Sequence, residues 1–76
     1  KEADAIIIIN GQIGSLNEFT IAFNDAKIIG ILENSGGITD IIDKIAEICD
    51  KKGEKENIVY SSEPKELVTL VLNKLK

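Results

Sequence analysis

The chain has 76 residues, with 9 Lys+Arg against 13 Asp+Glu, no His and a formal net charge of −4. Every cation is a Lys, so Ser-His-Asp and Cys-His catalysis, His-based zinc sites and bidentate Arg clamps on phosphate are excluded within this chain. The acidic balance argues against duplex nucleic acid, which needs a basic surface to displace counterions. A hydrophobic content of 43% is that of a globular chain rather than a disordered one.

The length allows one domain at most, and a chain near ~70–80 residues seldom builds a comfortable core without disulfides, a metal or a partner. Cys49 is the single cysteine, so no intrachain disulfide can form and a cytoplasmic origin is expected. The longest strictly apolar run, Ala5 to Ile9, is far short of the ~18 residues of a membrane span. No secretory leader pattern opens the chain. It begins at Lys1 without an initiating Met, which processing, tag removal or a fragment would each explain.

Ala5-Ile-Ile-Ile-Ile9 is aliphatic and β-branched without alternation, the pattern of a strand buried on both faces in a parallel sheet. Asn10-Gly-Gln-Ile-Gly14 breaks it, and Ser15 opens a helix through about Asp25. Ser15-Leu-Asn-Glu18 fits a capping box, and Leu16, Phe19, Ala22, Phe23 and Ala26 recur at helical spacing. Ile28 to Leu32 reads as a second strand, apolar on both faces. Glu33-Asn-Ser-Gly-Gly37 is loop chemistry, with Thr39 or Asp40 available to cap the next helix. Ile38, Ile41, Ile42, Ile45, Ile48 and Cys49 form one stripe on that helix, which ends near Lys51 and Lys52 with Gly53 as its C-cap. On that stripe Cys49 is expected to be a small buried hydrophobe. Lys51, Lys52, Glu54, Lys55 and Glu56 read as a solvated turn. Ile58 to Ser61 is a short third strand near a sheet edge. Ser61 and Ser62 are candidate caps, Pro64 suits the first turn of a last helix, and Leu67, Val68, Val71, Leu72 and Leu75 form its buried stripe.

The order βαβαβα implies an α/β, Rossmann-like fold with a three-stranded parallel sheet flanked by helices. Right-handed crossovers moving the same way put the first two helices on one face of that sheet. The first two strands are apolar on both faces, so the second face needs more cover than the last helix offers. The chain is therefore expected to be a single domain over 1–76 that is half of a larger doubly wound sheet. A missing N-terminal half or a second chain would complete it.

Ligands of open α/β sheets bind outside the carboxyl ends of the strands. Those ends carry Asn10 to Ser15, Glu33 to Gly37 and Ser61 to Glu63. Gly11 and Gly14 allow close approach of backbone to a ligand, and the unpaired amides at the start of the first helix favour an anion, with no Arg or Lys required. A plain glycine-containing turn before a capped helix is the bland alternative. The P-loop pattern is not met, because Gly14 is followed directly by Ser15 with no Lys. The dinucleotide fingerprint is not met either, since Ile13 and Leu16 stand at its second and third glycine positions counted from Gly11. Glu33, at the end of the second strand, keeps a dinucleotide-binding half-domain open through its ribose-holding acid. Asn10, Asn34, Gly36 and Gly37 are candidate pocket residues. No metal site and no organic cofactor are expected.

Ala3 to Phe19 resembles the strand and motif Pro-Gly-Gly-x-Gly-Thr-x-x-Glu of the LOG ("lonely guy", lysine-decarboxylase-like) family. By position, Gly11 matches the first glycine, Gly14 the last, Ser15 the Thr and Glu18 the Glu, whereas Asn10 replaces the Pro and Gln12 the second glycine. The Phe19-Thr-Ile-Ala-Phe segment and the Ile-Gly-Ile-Leu strand with its Gly-Gly loop resemble a branch that is also similar to the molybdenum-cofactor carrier protein. The resemblance covers the C-terminal half of such a protein and lacks the upstream Gly-rich motif and the catalytic Arg. It implies phosphate and nucleotide binding by Gly11, Gln12, Gly14, Ser15 and Glu18, with Glu18 as the catalytic carboxylate of a nucleoside 5′-monophosphate phosphoribohydrolase. It also implies a homodimer. The alternative from another class is a non-catalytic carrier or sensor of a phosphorylated pterin or nucleotide, which Gln12 favours by narrowing the approach to phosphate. A third is a structural half-domain that binds nothing. No nucleic-acid or membrane partner is expected.

Overall fold

The computed structural model describes residues 4–11 and 13–76. The chain runs β1 (Ala5–Ile8), α1 (Ile13–Asn24), β2 (Ile28–Leu32), a 3₁₀ turn (Gly37–Asp40), α2 (Ile42–Cys49), a second 3₁₀ turn (Glu54–Asn57), β3 (Ile58–Ser61) and α3 (Pro64–Leu75). The strands form one parallel sheet in the order β1-β2-β3. The fold is therefore the α/β, Rossmann-like half-sheet that the element order implies.

The register explains how the two faces divide. Ile6, Ile29 and Ile58 lie abreast, as do Ile8, Ile31 and Tyr60, and these rows share one face. Phe19, Ala22 and Phe23 of α1 and Ile42 and Ala46 of α2 pack against them, forming the main core. The rings of Phe19 and Phe23, one helical turn apart, sit 5.6 Å centroid to centroid. The intervening row, Ile7, Gly30 and Val59, belongs to the opposite face, where Leu67 and Val71 of α3 are buried. Gly30 is what lets α3 settle. A Cβ there would stand 2.7 Å from Val71 Cγ2 and 3.2 Å from Leu67 Cδ1. Right-handed crossovers thus place α1 and α2 together, and α3, which leads to no further strand here, packs on the opposite face.

Three expectations about element ends need correction. First, α1 starts at Ile13, two residues before the expected Ser15 cap, so Ser15 and Glu18 both lie inside the helix rather than forming a capping box. Asn10, three residues ahead of the helix, takes a left-handed φ of 48°. Second, the expected long helix from Ile38 is split into a 3₁₀ turn and a short α2. Thr39 is buried and donates its hydroxyl to the Gly36 carbonyl (2.7 Å), and α2 has Ile41 at its N-cap with no side-chain cap. Third, Gly53 does not cap α2, which ends at Asp50 in extended conformation. Its φ of 87° instead starts the second 3₁₀ turn.

Cys49 and Ile48 are exposed, against the expectation of one buried stripe, and on α3 only Leu67 and Val71 of the expected buried stripe are buried, with Val68, Leu72 and Leu75 exposed. Cys49 is on the same angular face as Ile42, but seven residues further on, about 10 Å along the axis, the helix has run past the core. At the other end of the chain, α1 closes with Ala26 at φ 57°, where Ala26 N–H donates to Phe23 O and Lys27 N–H to Ala22 O. That is the Schellman arrangement with alanine where glycine is usual.

Candidate functional site

The carboxyl ends of β1 and β2 carry two turns that are built against each other. Asn10 N–H donates to Ser35 Oγ (2.8 Å), and that hydroxyl in turn donates to Leu32 O (2.7 Å). A β1 turn is thereby tied to the last residue of β2 through one serine. Gly36 and Gly37 have φ of 92° and 64°. A Cβ on Gly37 would collide with the Gly11 carbonyl oxygen and stand 3.0 Å from Asn10 Oδ1, and one on Gly36 would stand 3.2 Å from that same Oδ1. The two glycines therefore make room for the Asn10–Gly11 peptide. Asn10 and Asn34 both take left-handed φ, which Asn tolerates better than most residues.

The expected phosphate-binding residues lie just beyond this paired turn. Gly11 is buried under the second loop, Ser15 is half-buried, and Gly14 and Glu18 are exposed. Gln12 lies outside the described residues. Gly14 is the second residue of α1, and the position its Cβ would occupy has nothing within 4 Å. The first turn of α1 has no acidic side chain, so its free amides are not opposed by a carboxylate of their own. Among the described residues, the Glu18 carboxylate has no hydrogen-bond partner.

Beside this turn, Glu33, Asn34, Thr39, Asp43 and Tyr60 line a cavity of about 280 Å³. Of the four candidate pocket residues, Asn34 lines it, while Asn10, Gly36 and Gly37 are used in the loop-to-loop contact. Burial is the main force raising the Tyr60 phenol above its ordinary pKa, and the nearby Asp43 and Glu33 charges add to it. The phenol is therefore a neutral donor facing two acids. Glu33 was legible as a strand-end acid. Thr39 reads as a helix cap in sequence, and nothing in the pattern around Asp43 or Tyr60 signals a shared cavity, because the two come from separate elements, α2 and β3.

Serving β3, Ser61 is buried. It accepts from Glu63 N–H (3.0 Å) and donates to Glu66 Oε1 (2.7 Å), so it organises the entry to α3 two residues ahead of the N-cap, Glu63. Glu54 organises the turn after α2. Its Oε1 accepts from Lys51 N–H (3.0 Å) and Lys52 N–H (2.8 Å), and these amides lower its pKa from 4.5 to about 2. The turn is thus a built structure rather than merely solvated charge. No group of three or more metal-ligating side chains occurs among the described residues. Nor is any of their helices long and apolar enough to cross a membrane.

Parallel strands joined by helices on one face, with glycine-bearing turns meeting at the strands' carboxyl ends, define a Rossmann-like α/β domain with its open end at the α1 turn. The particular family is the SLOG cluster4 family, whose model matches residues 1–68, and the chain belongs to it. That places it among nucleotide-related Rossmann-like domains, in a grouping that includes LOG-like folds. No curated protein and no solved structure matches the chain.

Proposed function

We propose that this domain binds a nucleoside 5′-monophosphate, with the phosphate held at the start of α1. The observation that carries this is the open space above Gly14, in the first turn of a helix at the sheet's carboxyl end. Backbone amides and the helix dipole supply the attraction there, which suits a chain without Arg. Gly11, Gly14 and Ser15 form the cradle, and the sugar and base extend toward the cavity lined by Glu33, Asn34 and Tyr60.

On this reading Glu18, one turn into α1, acts on the ribose. Its carboxylate stabilises positive charge developing at C1′ as the N-glycosidic bond breaks, in the manner of carboxylates in glycoside hydrolysis. Water adds to C1′, and the base leaves with a proton, giving free base and ribose 5-phosphate. A non-catalytic carrier or sensor using the same cradle is the second reading. It is favoured by Glu18 having no partner among the described residues to fix its orientation. A base-release assay with AMP, GMP and CMP separates the two. Release abolished by Glu18→Ala supports hydrolysis. Saturable binding with no release supports the carrier, and neither binding nor release overturns the proposal.

A further inference from the structure

The cavity beside the second loop has a polarity that the start of α1 does not share. Among the described residues that line it, Glu33 and Asp43 are carboxylates, Asn34, Thr39 and Tyr60 are neutral, and none is a cation. Glu33 sits just past β2, where its N–H donates to Ser61 O (2.8 Å) and so ties the tips of β2 and β3. Asp43 lies in the first turn of α2, and one of its oxygens accepts Lys44 N–H (2.9 Å). Thr39 gives its hydroxyl to the Gly36 carbonyl. Neither the Glu33 carboxylate nor the Tyr60 phenol has a hydrogen-bond partner among the described residues.

The excess of acid continues past Asp43. Asp43 and Tyr60 also wall a second cavity of about 400 Å³, together with Ala46, Glu47, Lys55 and Glu56. Over both cavities the described lining residues carry four carboxylates, against one ammonium at Lys55 on the far side. Tyr60 registers this field. Burial raises its phenol most, and the charges of Asp43 and Glu33 raise it further, so both carboxylates act on the same wall. An anion is repelled from such a cavity, whereas the first turn of α1 has no acidic side chain. A nucleotide therefore lies with its phosphate at α1 and its base among the acids.

We propose that the base taken by this cavity is positively charged, a pyridinium or an N-alkylated ring, so that the ligand class is nucleoside 5′-monophosphates with a cationic base. The inference rests on the reading that phosphate sits at the start of α1. A ring cation is drawn by Glu33 and Asp43 together, and the aromatic side chain of Tyr60 suits the same charge. A neutral base meets the two carboxylates only through whatever N–H groups it carries, because an ionised carboxylate accepts and does not donate.

The charge also answers what the cavity lacks for bond cleavage. Breaking the N-glycosidic bond of a neutral base calls for a proton at the leaving nitrogen. The chain has no His, and a phenol with a raised pKa is a poor acid. With a cationic base the electron pair of the C1′–N bond passes to the ring nitrogen, the positive charge is cancelled, and the base leaves neutral. Water adds to C1′ and gives its proton to solvent, while Glu18 faces the charge developing at C1′.

The probes are nicotinamide mononucleotide and its reduced dihydropyridine form, which share shape and phosphate and differ by the charge of the ring. Calorimetric titration of the chain at low and high salt reads the ratio of their affinities. The variant carries Glu33→Gln and Asp43→Asn together. Both side chains are exposed, and urea unfolding confirms that the variant is folded. The oxidised form is expected to bind at least about tenfold tighter than the reduced form, and the ratio to fall within about threefold in the variant. High salt is expected to shrink the ratio, because exposed carboxylates are screened. Equal affinity for the two forms would overturn the inference and leave the phosphate reading in place, and so would a preference that the variant retains. Nicotinamide riboside, which keeps the cation and lacks the phosphate, is expected to bind at least about tenfold more weakly. Binding of the riboside as tight as that of the mononucleotide, or no saturable binding of either mononucleotide, would overturn the phosphate reading and the inference with it.

Discussion

Replacing Gly14 by alanine should move stability and ligand binding in opposite directions. In the first turn of α1 the added methyl meets nothing within 4 Å, so no packing cost arises. Glycine within a helix is worse than alanine by up to about 1 kcal/mol, and near the terminus part of that is recovered, so a gain of about 0.5–1 kcal/mol is expected. For a domain of this size that corresponds to roughly 2–8 °C in Tm. If phosphate sits above this turn, the same methyl occupies its approach and should weaken nucleoside monophosphate binding at least about tenfold, or about 1.4 kcal/mol. Urea unfolding and calorimetric titration of one variant read both effects. Loss of stability would refute the open space above Gly14. A gain in stability with unchanged affinity would refute its use by a ligand.

Gly37→Ala should destabilise by about 2–4 kcal/mol in urea unfolding, because a left-handed φ and a collision with the Gly11 carbonyl combine. Ala26→Gly should stabilise by about 1 kcal/mol by relieving the left-handed alanine that closes α1, and a loss on that substitution would argue against the strained C-cap. Ser35→Ala removes the acceptor of Asn10 N–H and the donor to Leu32 O, so about 1–3 kcal/mol should be lost, with faster exchange of the Asn10 amide. Glu54 has its pKa depressed in the folded state, so its contribution is fully present above pH 4.5 and is lost as pH falls toward about 2. Glu54→Gln should flatten the stability profile across that window, and an unchanged profile would show that the amide contacts of Lys51 and Lys52 do not matter in solution.

Much of the fold was legible because it rests on short, strongly patterned segments. Ile28-Ile-Gly-Ile-Leu32 could only be a strand buried on both faces, and it is the centre of the sheet with Ile29 and Ile31 fully buried. Pro64 sits at the start of α3 as its missing N–H and fixed φ suggest. The second helix was less legible. A helical stripe records angle and not reach, so Cys49 matches the face of Ile42 yet lies beyond the core that buries it. The start of α1 was hidden for a different reason. Ser15 and Glu18 have capping-box spacing, but α1 begins two residues earlier, after a turn at Asn10 whose N–H donates to Ser35, 25 residues away, and no local pattern reports that bond. The same distance effect concealed the cavity, whose Asp43 and Tyr60 come from separate elements. The glycines of the second loop were legible as special positions, and their purpose, the seat for Asn10 and Gly11, needed the neighbouring strand.

The most direct test of the ligand reading is a titration followed residue by residue through backbone amide resonances. AMP, GMP and CMP are added in turn, each beside its nucleoside lacking the phosphate. Saturable shifts at Ile13, Gly14, Ser15 and Leu16, present with a monophosphate and absent with the nucleoside, are the expected result. Shifts confined to the β1 edge or to α3, or no saturable shift with any monophosphate, would contradict phosphate binding at the start of α1.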